Sequence, residues 1–428
     1  MTIQAWSAIT IFTGTIFLIA SGKLKTAAAS LLGACLMIIL GLIDSSQAVA
    51  AIDHNTIGLL VGMMIVVSIL SKSGLFQFLA VKAIKLTKGN AILIFWIISV
   101  LTAALSAFLD NVTTVLLVTP VVLSLCDLIS MNPMPLLLME LFASNIGGTA
   151  TLIGDPPNMI IASVAKFTFN DFIFVTSPVA SIILVAVTAY MARHFRETIK
   201  SDPVASERLK QVDEYKLIIN KPLMVKSVVV IAAVLLGFVL HSAIHLEPSV
   251  VALTAAGVLL AISFIEEKTI IHEDIEWPTL IYFICLFIMA GGLKETGAID
   301  QIAIHLTSLM AGSELLMIMG ILWISGITCM FVNNIAFSAI FAQVIGTMAS
   351  AAGISPAPLY WALALGACLG GNGTYFGAAA NAVAADFAAR EGMPISFTYF
   401  FKVGLRVVLI SLLIASACML IIAREDIF

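Results

Sequence analysis

Charge is what this chain has least of. Only 11% of its 428 residues are Asp, Glu, Lys or Arg, while 61% are apolar. A soluble globular domain carries about 25% charged residues, so a free-standing water-soluble fold is excluded. The six cysteines, at 35, 126, 285, 329, 368 and 418, stand singly, without CxxC spacing or a histidine cluster. That pattern supports neither a disulfide framework nor a zinc site, and no metal or cofactor is expected. The run GNGTYFG (371–377) spaces its glycines G-x-G-x-x-x-G with no strand-turn-helix context, which excludes a dinucleotide loop. A formal net charge of −4 gives no reason to expect nucleic acid as a partner. The first 22 residues lack the basic start and small-residue cleavage site of a signal peptide; they are expected to remain as a first helix.

What the chain has in quantity is long apolar sequence, with a mean hydropathy of +1.11. Apolar windows at 5–20, 26–43, 56–71, 91–109, 172–192, 226–241, 249–265, 278–293 and 404–422 approach or pass the length of a membrane-spanning helix. The alternating pattern of an outer-membrane barrel is missing. An all-α polytopic protein of the lipid bilayer follows, placed in the cytoplasmic (inner) membrane. Lys23 and Lys25 follow the first span, and Lys72, Lys82, Lys85 and Lys88 follow the third. Segment 193–226 is basic, whereas loops 43–56 and 241–248 hold no Lys or Arg. Since Lys and Arg mark cytoplasmic loops, both termini are expected outside, with Lys166, Lys294 and Arg424 as exceptions.

The two halves of the chain repeat. Placing Gly147-Gly148 on Gly370-Gly371 sets an offset of 371 − 148 = 223. The same offset pairs Thr151 with Thr374, Gly154 with Gly377 and Asn158 with Asn381. It also pairs Asp110-Asn111 with Asn333-Asn334, Pro133 and Pro135 with Pro356 and Pro358, and Lys72-Ser73-Gly74 with Glu295-Thr296-Gly297. Residues 1–192 and 226–428 are thus expected to be homologous halves joined by a cytoplasmic linker, 193–225. The charge pattern starts one half outside and the other inside, so the repeats are inverted. Inverted repeats with interrupted helices place a site near the bilayer midplane. No Walker A motif occurs, so this chain is expected to draw on an ion gradient; ATP would need a separate ATPase subunit.

Each half holds two polar interruptions. The first, LSAFLDNVTTVLL (105–117) and TCMFVNNIAFSAI (328–340), is expected to form re-entrant helical hairpins. Their arms look too short or too polar-tipped to span, and their tips lie near 110 and 333. The second, SNIGGTATLIGDPPN (144–158) and GACLGGNGTYFGAAAN (366–381), is expected to break a transmembrane helix near 145–151 and near 370–374. Unpaired backbone survives at membrane depth only inside protein or beside water. Four breaks meeting there would offer Asp110, Asn111, Thr113, Thr114, Asn145, Gly147, Gly148, Thr149 and Thr151 from one half. The other half would offer Asn333, Asn334, Gly371, Asn372, Gly373 and Thr374.

Glycine pairs alone often serve helix packing, and polar tips alone could be loops; the symmetric recurrence favours a binding site. Ionisable groups at this depth are functional candidates. Asp110, Glu140 and Asp155 are the proton-coupling candidates, Asp110 foremost because its repeat partner Asn333 is neutral. Asp110 could instead cap the tip amides, and Asp155-Pro156-Pro157 has the form of a helix start. No Lys or Arg falls at the expected midplane, so a neutral polar solute or a small cation fits better than a multiply charged anion. Cys329 and Cys368 lie near the second-half breaks and raise thiolate coordination of arsenic as an alternative.

The runs SAFLDNVTT (106–114), MELFASNIGGTATLIGDPPN (139–158) and VNN (332–334) resemble the ion transporter superfamily, in its ArsB/NhaD/P-protein branch, across essentially the whole chain. Asp110-Asn111-Val112-Thr113 and Asn333-Asn334-Ile335 stand where the superfamily's dicarboxylate symporters carry Ser-Asn-Thr, a departure that speaks against dicarboxylates. The resemblance implies a scaffold part and a moving, elevator-type transport part, and for its symporters a homodimer. Its ArsB-like members export arsenite or antimonite in exchange for protons and its NhaD-like members exchange Na+ for H+. The length of the chain favours the former.

Overall fold

The computed structural model describes residues 2–21, 23–200, 207, 213–241, 243–310, 313–390 and 392–422. Arg424 and positions 201–206 and 208–212 of the expected linker lie outside the described residues. Among those residues every regular element is helical.

The first set runs α1 (Ile3–Ala20), α2 (Thr26–Ile39), a short α3 (Ser45–Ala50), α4 (His54–Ser71), α5 (Leu75–Lys85), α6 (Ala91–Ser106), α7 (Asn111–Leu128), α8 (Met134–Thr149), α9 (Pro156–Ala165) and α10 (Phe169–His194). A 3-10 turn (Glu214–Leu217) leads to α11 (Lys221–Leu240) and α12 (Pro248–Ser263), and a π turn (Thr269–Asp274) to α13 (Trp277–Glu295). Then come α14 (Ala298–Leu309), α15 (Glu314–Thr328), α16 (Asn334–Ala352), α17 (Ala357–Gly370), α18 (Ala379–Arg390) and α19 (Phe397–Ile422).

The offset of 223 recurs in this order. The starts of α4 and α13, α7 and α16, α8 and α17, and α9 and α18 differ by 277 − 54, 334 − 111, 357 − 134 and 379 − 156. The start signals recur with them. Asp53 caps α4, accepting from Asn55 N at 3.0 Å and Thr56 N at 3.1 Å. Glu276, its partner at the head of α13, accepts from Thr279 Oγ1 at 2.9 Å.

Seven helices are long and apolar enough to cross a membrane: α4, α7, α10, α11, α13, α16 and α19. Two of them correct the sequence reading. The second hairpin arms, α7 and α16, run to 18 and 19 residues and are not short. Helical pairing carries α7 on past Pro120, and small residues fill α16. By contrast α2, α6 and α12 reach only 14, 16 and 16 residues.

Burial shows what lies in the middle. Every residue of α8 from Pro135 to Thr149 is buried, as is every residue of α17 from Pro358 to Gly370. A helix apolar all round belongs inside a bundle. α6, α7 and α10 pack on α8, while α15, α16 and α19 pack on α17. The two central helices touch each other, so both broken ends are carried to one place.

Candidate functional site

The hairpin tips come first along the chain. After α6 the chain turns, and Asp110 caps α7: Oδ1 accepts from Thr113 N at 2.9 Å and Oδ2 from Thr113 Oγ1 at 2.5 Å. Asn333 does the same for α16, accepting from Ile335 N at 3.0 Å. Both carboxylate oxygens of the half-buried Asp110 are therefore engaged in closing the tip. This is the geometry of the capping alternative for Asp110, since N-cap oxygens satisfy amides that a helix start leaves open.

Behind the tips, the broken ends are stitched in the same way in both halves. Thr151 Oγ1 donates to the Ala107 carbonyl and Thr374 Oγ1 to the Met330 carbonyl; these partners again differ by 330 − 107 = 223. Asn158 Nδ2 donates to the carbonyls of Gly148 (3.2 Å), Thr149 (3.4 Å) and Thr151 (2.8 Å). Asn381 Nδ2 donates to those of Gly371 (2.7 Å) and Thr374 (2.9 Å). Backbone carbonyls released by each break thus find side-chain donors, as buried backbone must. Glycine is required where hairpin and broken helix touch: a Cβ on Gly147 would stand 2.5 Å from Ala103 Cα, and one on Gly370 would be 3.0 Å from Gly326 Cα.

Between the halves lies a buried network of amides. Asn145 Nδ2 donates to Asn372 Oδ1 at 2.9 Å and to Asn381 Oδ1 at 3.1 Å. The Asn111 amide lies 3.1 Å from Asn145 Oδ1 and 2.6 Å from Ser106 Oγ. Turned over, its nitrogen faces the Gly154 and Ser144 carbonyls at 3.1 Å. Ser106 Oγ is 3.1 Å from Ser144 Oγ, and Thr149 Oγ1 donates to the Asn145 carbonyl at 2.8 Å. The repeat partner of Asn145 is Cys368 (368 − 145 = 223), whose thiol donates to Asn158 Oδ1 at 3.4 Å. Buried Thr114 Oγ1 and Asn372 Nδ2 have no hydrogen-bond partner among the described residues.

Asp155 is the carboxylate of this centre. It stands at the start of α9 with Pro156 and Pro157 behind it, as the sequence suggests, yet its side chain makes no capping bond. The side chain is 2% exposed, and Oδ2 accepts instead from Asn334 Nδ2, across from the second hairpin, at 3.4 Å. The Cys329 and Cys368 thiols are both fully buried. The repeat partner of Asp155, 378 − 155 = 223 residues on, is Ala378. Among the described residues no three His, Cys, Asp or Glu side chains are grouped to hold a metal ion.

The structure thus brings together Asn111, Asn145, Gly148, Thr149, Asn334, Gly371 and Asn372 with Asp155. It leaves Asp110, Thr113 and Asn333 as tip caps, and uses Thr151 and Thr374 as stitches. Gly373 packs under Met330. Glu140 accepts from Thr119 at 2.7 Å, on α7. Sequence reasoning missed Ser106, Ser144, Asn158 and Asn381 as members of the centre, and raised Cys368 only as a thiolate alternative. Asn158 and Asn381 were visible as a repeated pair, whereas Cys368 does not share the residue type of Asn145.

Two clefts are lined in part by residues related by the repeat. One, about 350 Å³, is lined by Thr279, Tyr282, Tyr375 and Ala382 and reaches the tip residue Asn333. The other, about 630 Å³, is lined by Thr56, Leu59, Leu152 and Met159, the residues 223 positions earlier, and its lining does not include Asp110. A third, about 230 Å³, reaches Thr113 past Lys72, Asp274 and Glu276.

An all-helical bundle with at least seven membrane-length helices and a buried polar centre between two repeated sets is that of a membrane transporter. The chain belongs to the citrate transporter family (CitMHS), which matches residues 16–366, within the ion transporter superfamily. It is 39% identical to a 46 kDa membrane protein of Mycobacterium leprae over 95% of this chain and 96% of that one. It is likewise 39% identical to an uncharacterized transporter of Mycobacterium tuberculosis, over 96% of each. The P protein of Homo sapiens is 31% identical over 89% of this chain, which spans 54% of that longer protein. The crystal structure of the YdaH transporter of Alcanivorax borkumensis, of unusual topology, shares the fold. Its TM-score is 0.60 at 14% identity, covering 94% of this chain and 99% of that one. The family and these relatives are membrane or transport proteins, not enzymes.

Proposed function

We propose that the chain is a secondary active transporter exporting arsenite or antimonite in exchange for protons. It would work as two inverted halves, 1–192 and 226–428, joined by the linker 193–225, in the cytoplasmic membrane with both termini outside. The donor set of the centre carries this reading. Amides from both halves, two thiols and one carboxylate meet there, and the runs 103–114, 139–158, 326–338 and 366–381 contain no Lys or Arg. Arsenite at neutral pH is the uncharged trihydroxide, whose O–H groups match amide oxygens and Asp155, while Cys329 and Cys368 are soft ligands. An anion buried there would lack a counter-charge, which is costly.

Asp155, rather than Asp110, is the proton carrier in this scheme: it is buried, engaged across the repeat boundary and present in one half only. Alternating access follows from the two clefts. The cleft that reaches Asn333 opens beside the start of α13, on the side the lysine pattern assigns to the cytoplasm. Its counterpart is not lined by the matching tip residue Asp110, which supports an inward-open resting state and an elevator-type change.

Na+/H+ exchange is the second reading, favoured by the hard oxygens of Asp155, Asn111 and Asn334. Citrate, from the family's description, would require cations bound beside it. Everted vesicles decide between them. A pH gradient should drive arsenite accumulation, with proton release on arsenite addition. Sodium-induced proton release without arsenite uptake would overturn the first reading for the second, and citrate accumulation would overturn both.

A further inference from the structure

The first half buries a carboxyl that the central site does not use. Glu140 on α8 is 1% exposed; Oε1 accepts from Thr119 Oγ1 at 2.7 Å. Oε2 has no hydrogen-bond partner among the described residues. α7, packed on α8, also carries Cys126 and Asp127. α6 carries no titratable side chain, and α10, also packed on α8, carries Asp171, Tyr190, Arg193 and His194 only near its ends.

The repeat supplies an internal control for what this pair does. The positions 223 further on are Leu363 (363 − 140) and Ala342 (342 − 119), both 0% exposed. The same two helices therefore pack in the second half with apolar side chains, and the fold does not require Glu140 or Thr119. An unpaired carboxylate with one oxygen unsatisfied is a costly thing to bury; a neutral carboxylic acid costs far less. Pro120, beside Thr119, removes a backbone hydrogen bond from α7 at this level, which gives that helix a place to bend.

We propose that Glu140 is a second proton-binding site of the transport cycle, separate from Asp155. While the site is open to water, a hydronium ion gives its proton to Oε2 and is left as water; closing of α7 on α8 then seals in the neutral acid. When α7 bends away from α8 and water enters, that bond breaks, the proton returns to water and the carboxylate remains. This rests on the proton-coupled reading above.

Infrared difference spectroscopy on the reconstituted chain tests the binding directly. A carboxylic C=O stretching band should be present at neutral pH in wild type and in Asp155→Asn, and its Glu140 component should vanish in Glu140→Gln. A spectrum unchanged by Glu140→Gln overturns the proposal. The double variant Glu140→Leu/Thr119→Ala copies the second half and so should fold. It should still exchange solute, while moving fewer protons per solute and showing a flatter pH profile than wild type. Wild-type pH profile and proton stoichiometry in that variant would overturn the role in the cycle. A wild type that carries solute without protons would show in the flux assay alone and would fail the antiport reading, whereas an unchanged Glu140→Gln spectrum fails only this one.

Discussion

Asp110 and Asp155 each stand one residue before a helix, and only one of them caps it. Asp110 turns both oxygens onto Thr113, while Asp155 leaves its helix to Pro156 and Pro157 and faces Asn334. Substitutions should separate the two. Asn is as good a cap as Asp, so Asp110→Asn should keep both fold and proton coupling, and Asp110→Ala should lose about 1 kcal/mol of stability. Asp155→Asn should instead lose proton release on solute addition by at least about tenfold while still binding solute. Proton release in vesicles and thermal unfolding in detergent measure both; coupling lost in Asp110→Asn and kept in Asp155→Asn would reverse the assignment. The sequence made all the carboxylates visible at membrane depth. Their ranking was not legible, because it depends on which way a side chain turns and on a partner from the other half.

At the scale of elements, Gly74 and Gly297 are repeat partners with positive φ of +82° and +71° at the heads of α5 and α14. Their surroundings differ. A Cβ on Gly74 would strike the Leu217 carbonyl, whereas Gly297 has nothing within 4 Å. The segment before α11 lies along the α4–α5 turn: Ile219 N donates to the Ser73 carbonyl at 3.0 Å, the Tyr215 and Phe78 rings are 5.5 Å apart, and Lys85 pairs with Glu214. The hydrogen bond from the Lys85 ammonium holds the Glu214 carboxyl below its ordinary range. This contact is therefore present at neutral pH and lost as the pH falls through that lowered value. Both Gly→Ala changes meet left-handed strain of about 1–2 kcal/mol, and Gly74→Ala must also displace backbone. It should lower the melting temperature more than Gly297→Ala and speed protease cleavage near 213–220; equal effects would show that the strap contributes nothing. The glycine pair was legible in the sequence as a repeat. The strap was not, since a long-range contact leaves no periodic trace.

For the whole molecule, the sequence repeat announced two equivalent halves, and the structure gives them unequal clefts. Along the helices the offset of 223 holds from α4 to α18, so the fold was largely legible. The conformation was not, because two homologous halves carry the same pattern whichever cleft is closed. What differs is packing: Met159 is 3% exposed and Leu152 is 4% exposed, while their partners Ala382 and Tyr375 are exposed and half-buried in the cleft that meets Asn333. A thiol placed at each position reports this difference. With exposed Cys35 and half-buried Cys418 replaced, a membrane-impermeant reagent should modify Ala382→Cys from the side of the lysine-rich loops. Met159→Cys should stay protected from both sides at rest. Solute and a proton gradient that drive turnover should then raise labelling of Met159→Cys from the opposite side and lower that of Ala382→Cys. Alternation requires the two rates to move in opposite directions; if both rose together, the clefts would form one continuous pore and not the two faces of a transport cycle.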